Sequence, residues 1–307
     1  CKGGCDMAKI KSERIRHTRG DRALYFVTTL VLILLIFVVA YPVVFVISSS
    51  FSSSRAIGAG RVLLWPVGFT LKGYAFVFQY EKIWLGYRNT LFYTFFGTLI
   101  TMGLTILCAY PLSKSHFQGR KVYSTLLVIT MLFSAGLIPT YIIRAKLGLV
   151  DTVWAILLAG AMSVYNMTIL RTSFKSSIPQ ELFDAAEIDG AGDFQCLIRI
   201  AIPLAKATIS VLTLYTVVGC WNDYFNAMIY LRSENLFPLQ LFLRPILTAG
   251  QMLDTSGLSS SMIEAANEGT QQIKYCLIIL STVPVLLAYS VVQKYFKKGV
   301  MVGSVKG

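Results

Sequence analysis

Charge is the scarcest property of this 307-residue chain. Only 14% of its residues are charged and 55% are hydrophobic, whereas soluble domains are typically about 25% charged. Acidic residues are the rarest, with 15 Asp and Glu against 28 Lys and Arg. Apolar runs of about 20 residues, the length that crosses a bilayer, recur along the chain. These features exclude an ordinary soluble domain and predict a polytopic membrane protein.

Motifs that would carry catalysis are also absent from the sequence. It has no G-x-x-x-x-G-K-[ST] phosphate-binding loop, no H-E-x-x-H zinc motif and no C-x-x-C pair. Its two histidines, His17 and His116, both lie in basic segments. We therefore expect a non-catalytic chain without a cofactor or metal ion of its own.

Cysteine usage gives no disulfide framework. Cys1 and Cys5 precede Met7, which resembles a natural start, so residues 1–6 are interpreted as an artificial extension. The other four cysteines stand singly in apolar or loop sequence and are predicted to be free thiols; they are Cys108, Cys196, Cys220 and Cys276.

Six apolar segments are long enough to span a membrane, where they must be helical because every backbone polar group needs an internal partner. They predict an all-α, six-helix transmembrane domain over residues 23–296. The approximate ranges of the segments are 23–48, 88–112, 121–143, 152–171, 205–231 and 273–296.

The distribution of basic residues predicts the orientation of this domain. Of the 28 Lys and Arg, 18 fall in or directly beside the N-terminal arm 1–22, the segment 113–121, the loop 172–206 and the segment 294–307, which includes the C-terminal tail 297–307. The positive-inside rule then predicts that both termini are cytoplasmic. The basic excess also suits anionic lipid, and no basic stripe interleaves with aromatics as a nucleic-acid surface would require.

Two long loops, 49–87 and 232–272, are predicted to lie outside. The first is rich in glycine and aromatic residues, which form either an interfacial belt or a platform for an external partner. These aromatic residues are Trp65, Tyr74, Tyr80, Trp84 and Tyr87.

Asp223 is a rare ionisable residue within the predicted spans, and such residues are candidates for function. It lies about 18 residues along the fifth span, or roughly 27 Å at 1.5 Å per residue, which is toward the outer side. Its neighbours form a polar, aromatic patch that would suit sugar rings and hydroxyls. The patch comprises Trp221, Asn222, Asp223, Tyr224 and Asn226. The alternative is that these residues cap or pack the helix.

The cytoplasmic loop contains an acidic helical segment. Residues 177–180 read Ser-Ile-Pro-Gln and predict a capping box with proline in the first turn. Acidic residues follow at a spacing of three, near the positive end of the helix dipole, and a small apolar stripe lies between them. These are Glu181, Asp184 and Glu187, and Leu182, Ala185 and Ala186.

Glycine and proline punctuate the rest of this loop. Gly190 is predicted to end the acidic helix. Asp193 is predicted to cap a second short helix, and Pro203 to separate that helix from the fifth span. The resulting hairpin has an apolar side with no membrane to cover it, which indicates a protein partner.

The hairpin resembles a known family motif. Residues 184–203 read DAA, three further residues, G, nine further residues and then IAIP. This pattern is similar to the E-A-A-x-x-x-G-x9-I-x-L-P loop of binding-protein-dependent ABC importer permeases. Asp184 replaces Glu and Ile202 replaces Leu, while the spacing is unchanged. Other segments, among them LCAYPLSK and QKYFKKGVMVGSVKG, resemble the carbohydrate-type permeases, especially the LplC/YtcP-like relatives of the maltose-transporter G subunit.

The resemblance implies a MetI-like type I importer fold in the bacterial cytoplasmic membrane. It implies a permease subunit of an ATP-driven oligosaccharide importer, in a heterodimer with a second permease. Two ATPase subunits, which bind ATP and magnesium, and an extracytoplasmic sugar-binding protein would complete the importer. The two permeases would be surrounded by membrane lipid. Coupling to the ATPase is then assigned to Glu181, Asp184, Ala185, Ala186, Glu187, Gly190, Ile200 and Pro203. A further ATPase contact is implied for Gly303, Ser304, Val305 and Lys306, with a merely solvated tail as the alternative.

Two alternative functions stand beside this interpretation. The same architecture could serve a non-sugar solute such as an amino acid or a polyamine. A chain of another class, a secondary carrier or an intramembrane enzyme, would work without an ATPase and would purify alone.

Overall fold

The computed structural model describes residues 19–133, 135–244, 271–290 and 293, and these residues contain helices and turns but no strand. The all-α prediction is therefore confirmed for the described part of the chain. A π-helical turn spans Leu197–Ala201, a 3-10 turn spans Glu234–Leu236, and residues 239–244 are also helical. The helices are α1 Arg19–Ser50, α2 Ser54–Gly58, α3 Lys72–Gln79, α4 Glu81–Ser113, α5 Arg120–Leu132, α6 Leu137–Lys146, α7 Val153–Leu157, α8 Val164–Ser177, α9 Gln180–Ile188, α10 Asp193–Cys196, α11 Ile202–Leu204, α12 Lys206–Trp221, α13 Tyr224–Tyr230 and α14 Gln271–Ser290.

Three unbroken helices within the described ranges are long and apolar enough to cross a membrane: α1, α4 and α14. Two bent pairs are further candidates. α5 and α6 meet at 113°, and Asp193–Leu204 meets α12 at 83°. By length and composition, the described residues thus provide three to five candidate spans, against the six that the sequence predicts.

Besides 121–143, which is bent between α5 and α6, two further predicted spans are interrupted. Within 152–171, a non-helical stretch separates α7 from α8, and Thr101 Oγ1 donates a hydrogen bond to the Gly160 carbonyl there at 3.0 Å. Within 205–231, the helix breaks between Trp221 and Tyr224. Irregular backbone at membrane depth is tolerated where protein groups or a cavity satisfy it. Both breaks border the cavity described below.

The buried core is centred on α4, which packs against α8 and α12. A Cβ at Gly97 would lie 3.2 Å from Cys220 Sγ, so glycine permits the close approach of α4 and α12. Close packing around small residues stabilises helix pairs in lipid, where burial away from water contributes little. The four cysteines of the described ranges are free thiols, as the sequence predicts.

The buried side-chain amide of Gln272 joins α1, α3 and α14. Gln272 Nε2 donates to the carbonyls of Ser50 at 3.0 Å and Thr70 at 2.8 Å. Gln272 Oε1 accepts from the Gly73 amide at 3.1 Å. The end of α1 and the start of α3 are thereby attached to α14. The most apolar stretch of α1 itself is not buried within this chain, which leaves it to lipid or to another protein.

Candidate functional site

α9 begins one residue after a proline rather than in a capping box. Ser177 is the last residue of α8, and Pro179 is the N-cap residue of α9, without a side-chain capping bond. Ile178 is extended, with φ −119° and ψ 111°, because a residue that precedes proline is excluded from the helical region. The predicted capping box is therefore wrong. Gln180 instead bonds along the helix, since its Nε2 donates to Asp184 Oδ1 at 3.0 Å.

α9 ends where the sequence predicts. Gly190 has φ +79°, and its amide donates to the Glu187 carbonyl at 3.0 Å. The Ala191 amide donates to the Ala186 carbonyl at 2.9 Å. These two bonds are the Schellman motif, which satisfies the last carbonyls of a helix and requires a left-handed residue. The direction in which the chain leaves α9 therefore depends on Gly190.

One side of α9 packs on its own chain and the other is open. Phe183 is buried, and Ala186 packs half-buried against the same apolar cluster. The opposite side is exposed, with Leu182 at 45% and Ile188 at 86% of full exposure. The remaining predicted coupling residues of α9 are exposed as well: Glu181, Asp184, Ala185 and Glu187. Of the two alanines, Ala185 is thus available to a partner, whereas Ala186 holds the helix to the rest of its own chain.

A buried lysine lies under α9, and sequence reasoning missed it. Lys114 follows the last residue of α4 and is only 7% exposed. Its Nζ lies 3.0 Å from the ring centroid of Phe183 and 5.1 Å from that of Tyr110. Burial lowers the pKa of Lys114, and this effect outweighs the attraction of acidic residues on the loop 172–206, among them Asp193, which raises the pKa. No local pattern in the sequence distinguishes this lysine from solvated ones.

The second half of the hairpin is a continuous helical segment that then turns sharply. α10 begins at Asp193, one residue after its N-cap residue Gly192, so Asp193 does not cap the helix. Pro203 lies inside α11, and the 83° bend into α12 follows at Ala205. Since proline has no amide hydrogen, Pro203 cannot donate a hydrogen bond to the carbonyl four residues back. The wider π turn, which contains Ile200, directly precedes α11.

A cavity of about 340 Å³ lies among α4, α7, α8, α12 and α13. Pockets of roughly 300–1,000 Å³ hold small organic ligands. Hydroxyls, amides and one carboxylate line it together with apolar groups, and none of its lining residues is basic. They are Tyr93, Gly97, Thr101, Ile156, Leu157, Gly160, Ser163, Asn166, Thr216, Gly219, Cys220, Asp223 and Asn226.

Asp223 both caps α13 and borders this cavity. Its Oδ1 accepts a hydrogen bond from the Asn226 amide at 3.2 Å. The Asn226 side-chain Nδ2 donates to both carboxylate oxygens of Asp223, at 2.9 and 2.8 Å. Capping explains why the helix restarts here. The two sequence interpretations of Asp223, capping and path lining, thus concern the same side chain.

The other three residues of the predicted patch are not among the cavity-lining residues. Trp221 is buried, and its Nε1 donates to the Ser281 carbonyl on α14 at 3.0 Å. Asn222 is exposed and accepts from Gln240 Nε2 at 3.4 Å. Tyr224 packs against Phe225. Asn166, Ser163 and Thr101, which sequence reasoning did not select, border the cavity instead.

An exposed carboxylate ties the two interrupted segments together. Asp151 Oδ1 accepts from the amides of Arg232 and Ser233, both at 2.9 Å. Its Oδ2 accepts from Ser233 Oγ at 2.6 Å. These hydrogen bonds lower the pKa of Asp151, and the bond from the Ser233 hydroxyl has the largest effect. Asp151 also has φ +59°, a conformation that Asp tolerates better than most residues. The bonds hold the start of α7 to the end of α13.

Within the described ranges, no group of three His, Cys, Asp or Glu could hold a metal ion. The predicted tail contact at Gly303, Ser304, Val305 and Lys306 lies outside the described residues.

Comparisons with known proteins identify relatives that extend over most of the chain. No protein-family model matches it. It is 36% identical over 266 residues to Protein LplC of Bacillus subtilis (strain 168), which covers 87% of this chain and 89% of the relative. It is also 36% identical to the polygalacturonan/rhamnogalacturonan transport system permease protein YtcP of the same organism, over 87% of this chain and 92% of that protein.

A solved structure has the same arrangement. It is the crystal structure of a bacterial ABC transporter involved in the import of the acidic polysaccharide alginate, of which one chain superposes with a TM-score of 0.82. That chain is 34% identical, and the match covers 91% of this chain and 99% of the other.

Proposed function

Since the chain belongs to the permease subunits of carbohydrate ABC importers, we propose that it forms half of the path by which an ATP-driven importer moves an oligosaccharide. The other half comes from a second permease in a heterodimer. Two ATPase subunits supply the energy, and ATP and magnesium are bound there, while an extracytoplasmic protein delivers the sugar. This chain itself performs no chemical step.

The observation that carries this proposal is the two-sided character of α9. Phe183 attaches the helix to the permease core, while Ile188 and the acidic residues point away from that core and are exposed. An exposed apolar residue among carboxylates on a rigid helix suits a groove in another protein. We infer that this exposed side of α9 docks in a cleft of the ATPase, and that the tail residues 303–306 add a second contact.

Coupling then follows from rigid-body movement. When ATP draws the two ATPase subunits together, the α9 helices of both permeases approach each other, and the helices attached to them rotate. The cavity bordered by Asp223 and Asn226 opens alternately to the two sides of the membrane. Its hydroxyl and amide groups can exchange hydrogen bonds with sugar hydroxyls in place of water.

We further propose that the chain crosses the membrane six times, with both termini in the cytoplasm. The Lys and Arg residues concentrated in the arm 1–22, the segment 113–121 and the C-terminal tail support this orientation. The bent pair of α5 and α6, the pair of α12 and α13 and the interrupted segment 152–171 would complete the six spans that the family resemblance implies. The loops 49–87 and 232–272 then face the binding protein.

Co-purification tests the assignment of α9. A tagged copy of this chain should retain an ATPase with a phosphate-binding loop and a second permease, both identified by mass spectrometry. Ala185→Arg should release the ATPase and keep the second permease, because Ala185 is exposed and its replacement leaves the permease core intact. Ser176→Arg, at an exposed position of α8, is the control. Retention of the ATPase by both variants would contradict the proposal.

A further inference from the structure

Lys114 occupies an unusual environment for a lysine. It is 7% exposed, and the described residues place no carboxylate within salt-bridge distance of it. Its ammonium nitrogen instead lies 3.0 Å from the centre of the Phe183 ring. Buried lysines that lack a paired acid are rare because the charge loses its hydration. An aromatic face returns part of that loss, since its π electrons attract a cation.

Tyr110 completes this contact from the side of α4. Its ring lies 5.1 Å from Lys114 Nζ and packs against Phe183 with centroids 6.2 Å apart. Tyr110 and Lys114 are one turn apart at the end of α4, whereas Phe183 belongs to α9. The three side chains therefore form one joint between two helices.

α4 connects this joint to the cavity. Thr101, Gly97 and Tyr93, on the same unbroken helix, line the cavity. Thirteen residues separate Thr101 from Lys114, which is about 20 Å of helix at 1.5 Å per residue. α4 runs as one helix from Glu81 to Ser113, and Pro111, in its last turn, lies beyond Tyr110. A displacement at Tyr110 thus reaches the cavity wall along a stretch of helix that contains no proline.

We infer that Lys114 is the positioning residue that fastens the coupling helix α9 to α4, so that a movement imposed on α9 is transmitted along α4 to the cavity. This inference rests on the proposed function. The attraction between a cation and a ring face extends to about 6 Å from the centroid, and Lys114 Nζ lies 3.0 Å from that of Phe183, so the joint tolerates small displacements of α9 relative to α4. The exposed side of α9 remains free for the ATPase.

The chain contains its own reporter for this transmission. Cys220 lines the cavity, so its reactivity reports access from either side. The other five cysteines would be replaced by Ala or Ser. The complete importer, in proteoliposomes, would then be labelled with a membrane-impermeant maleimide, with and without ATP and vanadate. If the importer alternates, trapping should change the labelling rate of Cys220 by roughly tenfold, a usual size for coupling between sites.

The variants separate the charge–ring contact from general packing. Lys114→Met retains the aliphatic stem but removes the charge, and the response of Cys220 should fall to less than about a fifth of the wild-type change. Lys114→Arg, which keeps a cation above the ring, should restore it. Lys121→Met, at an exposed position of α5, is the matched control. Phe183→Leu should act like Lys114→Met, and Phe183→Tyr like the wild type.

The possible outcomes separate this inference from the proposed function. If trapping leaves Cys220 unchanged in the wild type, the importer mechanism itself fails. If the wild type responds and Lys114→Met responds equally, only the joint is overturned. If Lys114→Met does not assemble, the two Phe183 variants provide the test. A weak labelling response of Cys220 in Phe183→Leu with a normal response in Phe183→Tyr supports the joint. Equal responses in the two variants overturn it.

Discussion

The amide nitrogen of Gly190 donates to the Glu187 carbonyl at 3.0 Å, and it can do so because Gly190 has φ +79°. A Cβ at this position would meet no atom within 4 Å, so the glycine is required by backbone conformation rather than by space. The conformation of the turn between α9 and α10 therefore depends on Gly190.

Gly190→Val should weaken coupling to the ATPase without preventing membrane insertion. A β-branched residue in the left-handed region costs about 1–3 kcal/mol, enough to redirect the chain after α9. The measurement is ATP hydrolysis by the reconstituted complex with and without sugar-loaded binding protein. Gly192→Val is the matched control, because Gly192 has φ −74° and equally open surroundings. If sugar-loaded binding protein stimulates ATP hydrolysis equally in Gly190→Val and Gly192→Val, this turn has no role in coupling.

Asp223 substitutions should separate capping from transport. Asp223→Ala removes the N-cap of α13 and should lower the free energy of unfolding by about 1 kcal/mol. Asp223→Asn still caps the helix but keeps only one of the two bonds that Asn226 Nδ2 donates to the carboxylate, so its thermal midpoint should fall less than that of Asp223→Ala. It removes the carboxylate from the cavity, however, and should change the KM for sugar uptake. Unchanged uptake by Asp223→Asn would limit this residue to a structural role.

Gln272→Ala should destabilise the attachment of α1 and α3 to α14. The substitution leaves the Ser50 and Thr70 carbonyls and the Gly73 amide without their partner, at a cost of about 1–3 kcal/mol for unsatisfied buried groups. Thermal unfolding of the detergent-solubilised complex measures the loss. Gln118→Ala, at an exposed position, should leave the midpoint unchanged, and a similar midpoint for both variants would argue against the attachment.

Two glycines of α4 should respond oppositely to alanine. A Cβ at Gly86 would lie 2.9 Å from Leu239 Cα, a backbone atom that cannot move aside, whereas Gly103 has nothing within 4 Å. Gly86→Ala should therefore destabilise by about 1–3 kcal/mol, and Gly103→Ala should be neutral or slightly stabilising. The yield and melting temperature of the purified protein test this, and the reverse order would contradict the packing of α4 against residues 239–244.

Local chemistry made part of this structure predictable. The end of α9 follows from Gly190, since a left-handed terminal residue is a short-range requirement. The apolar runs likewise predict α1, α4 and α14. The start of α9 was less predictable, because the effect of Pro179 on Ile178 competes with a capping pattern.

Tertiary contacts account for what the sequence did not predict. The interruption near Gly160 depends on Thr101, 59 residues away in the chain, and apolar composition alone carries no sign of it. The burial of Lys114 depends in the same way on Phe183. A basic residue between two spans has the same local pattern whether water or an aromatic ring surrounds it.

The most direct test of the central claim is sugar uptake by the reconstituted complex of this chain, the second permease, the two ATPases and the binding protein. Radiolabelled maltotriose and trigalacturonate serve as neutral and acidic probes, because the described cavity lining contains no basic side chain. Proteoliposomes should accumulate at least one probe with ATP and binding protein present, and none with ADP. Accumulation driven by an ion gradient without ATP would contradict the account.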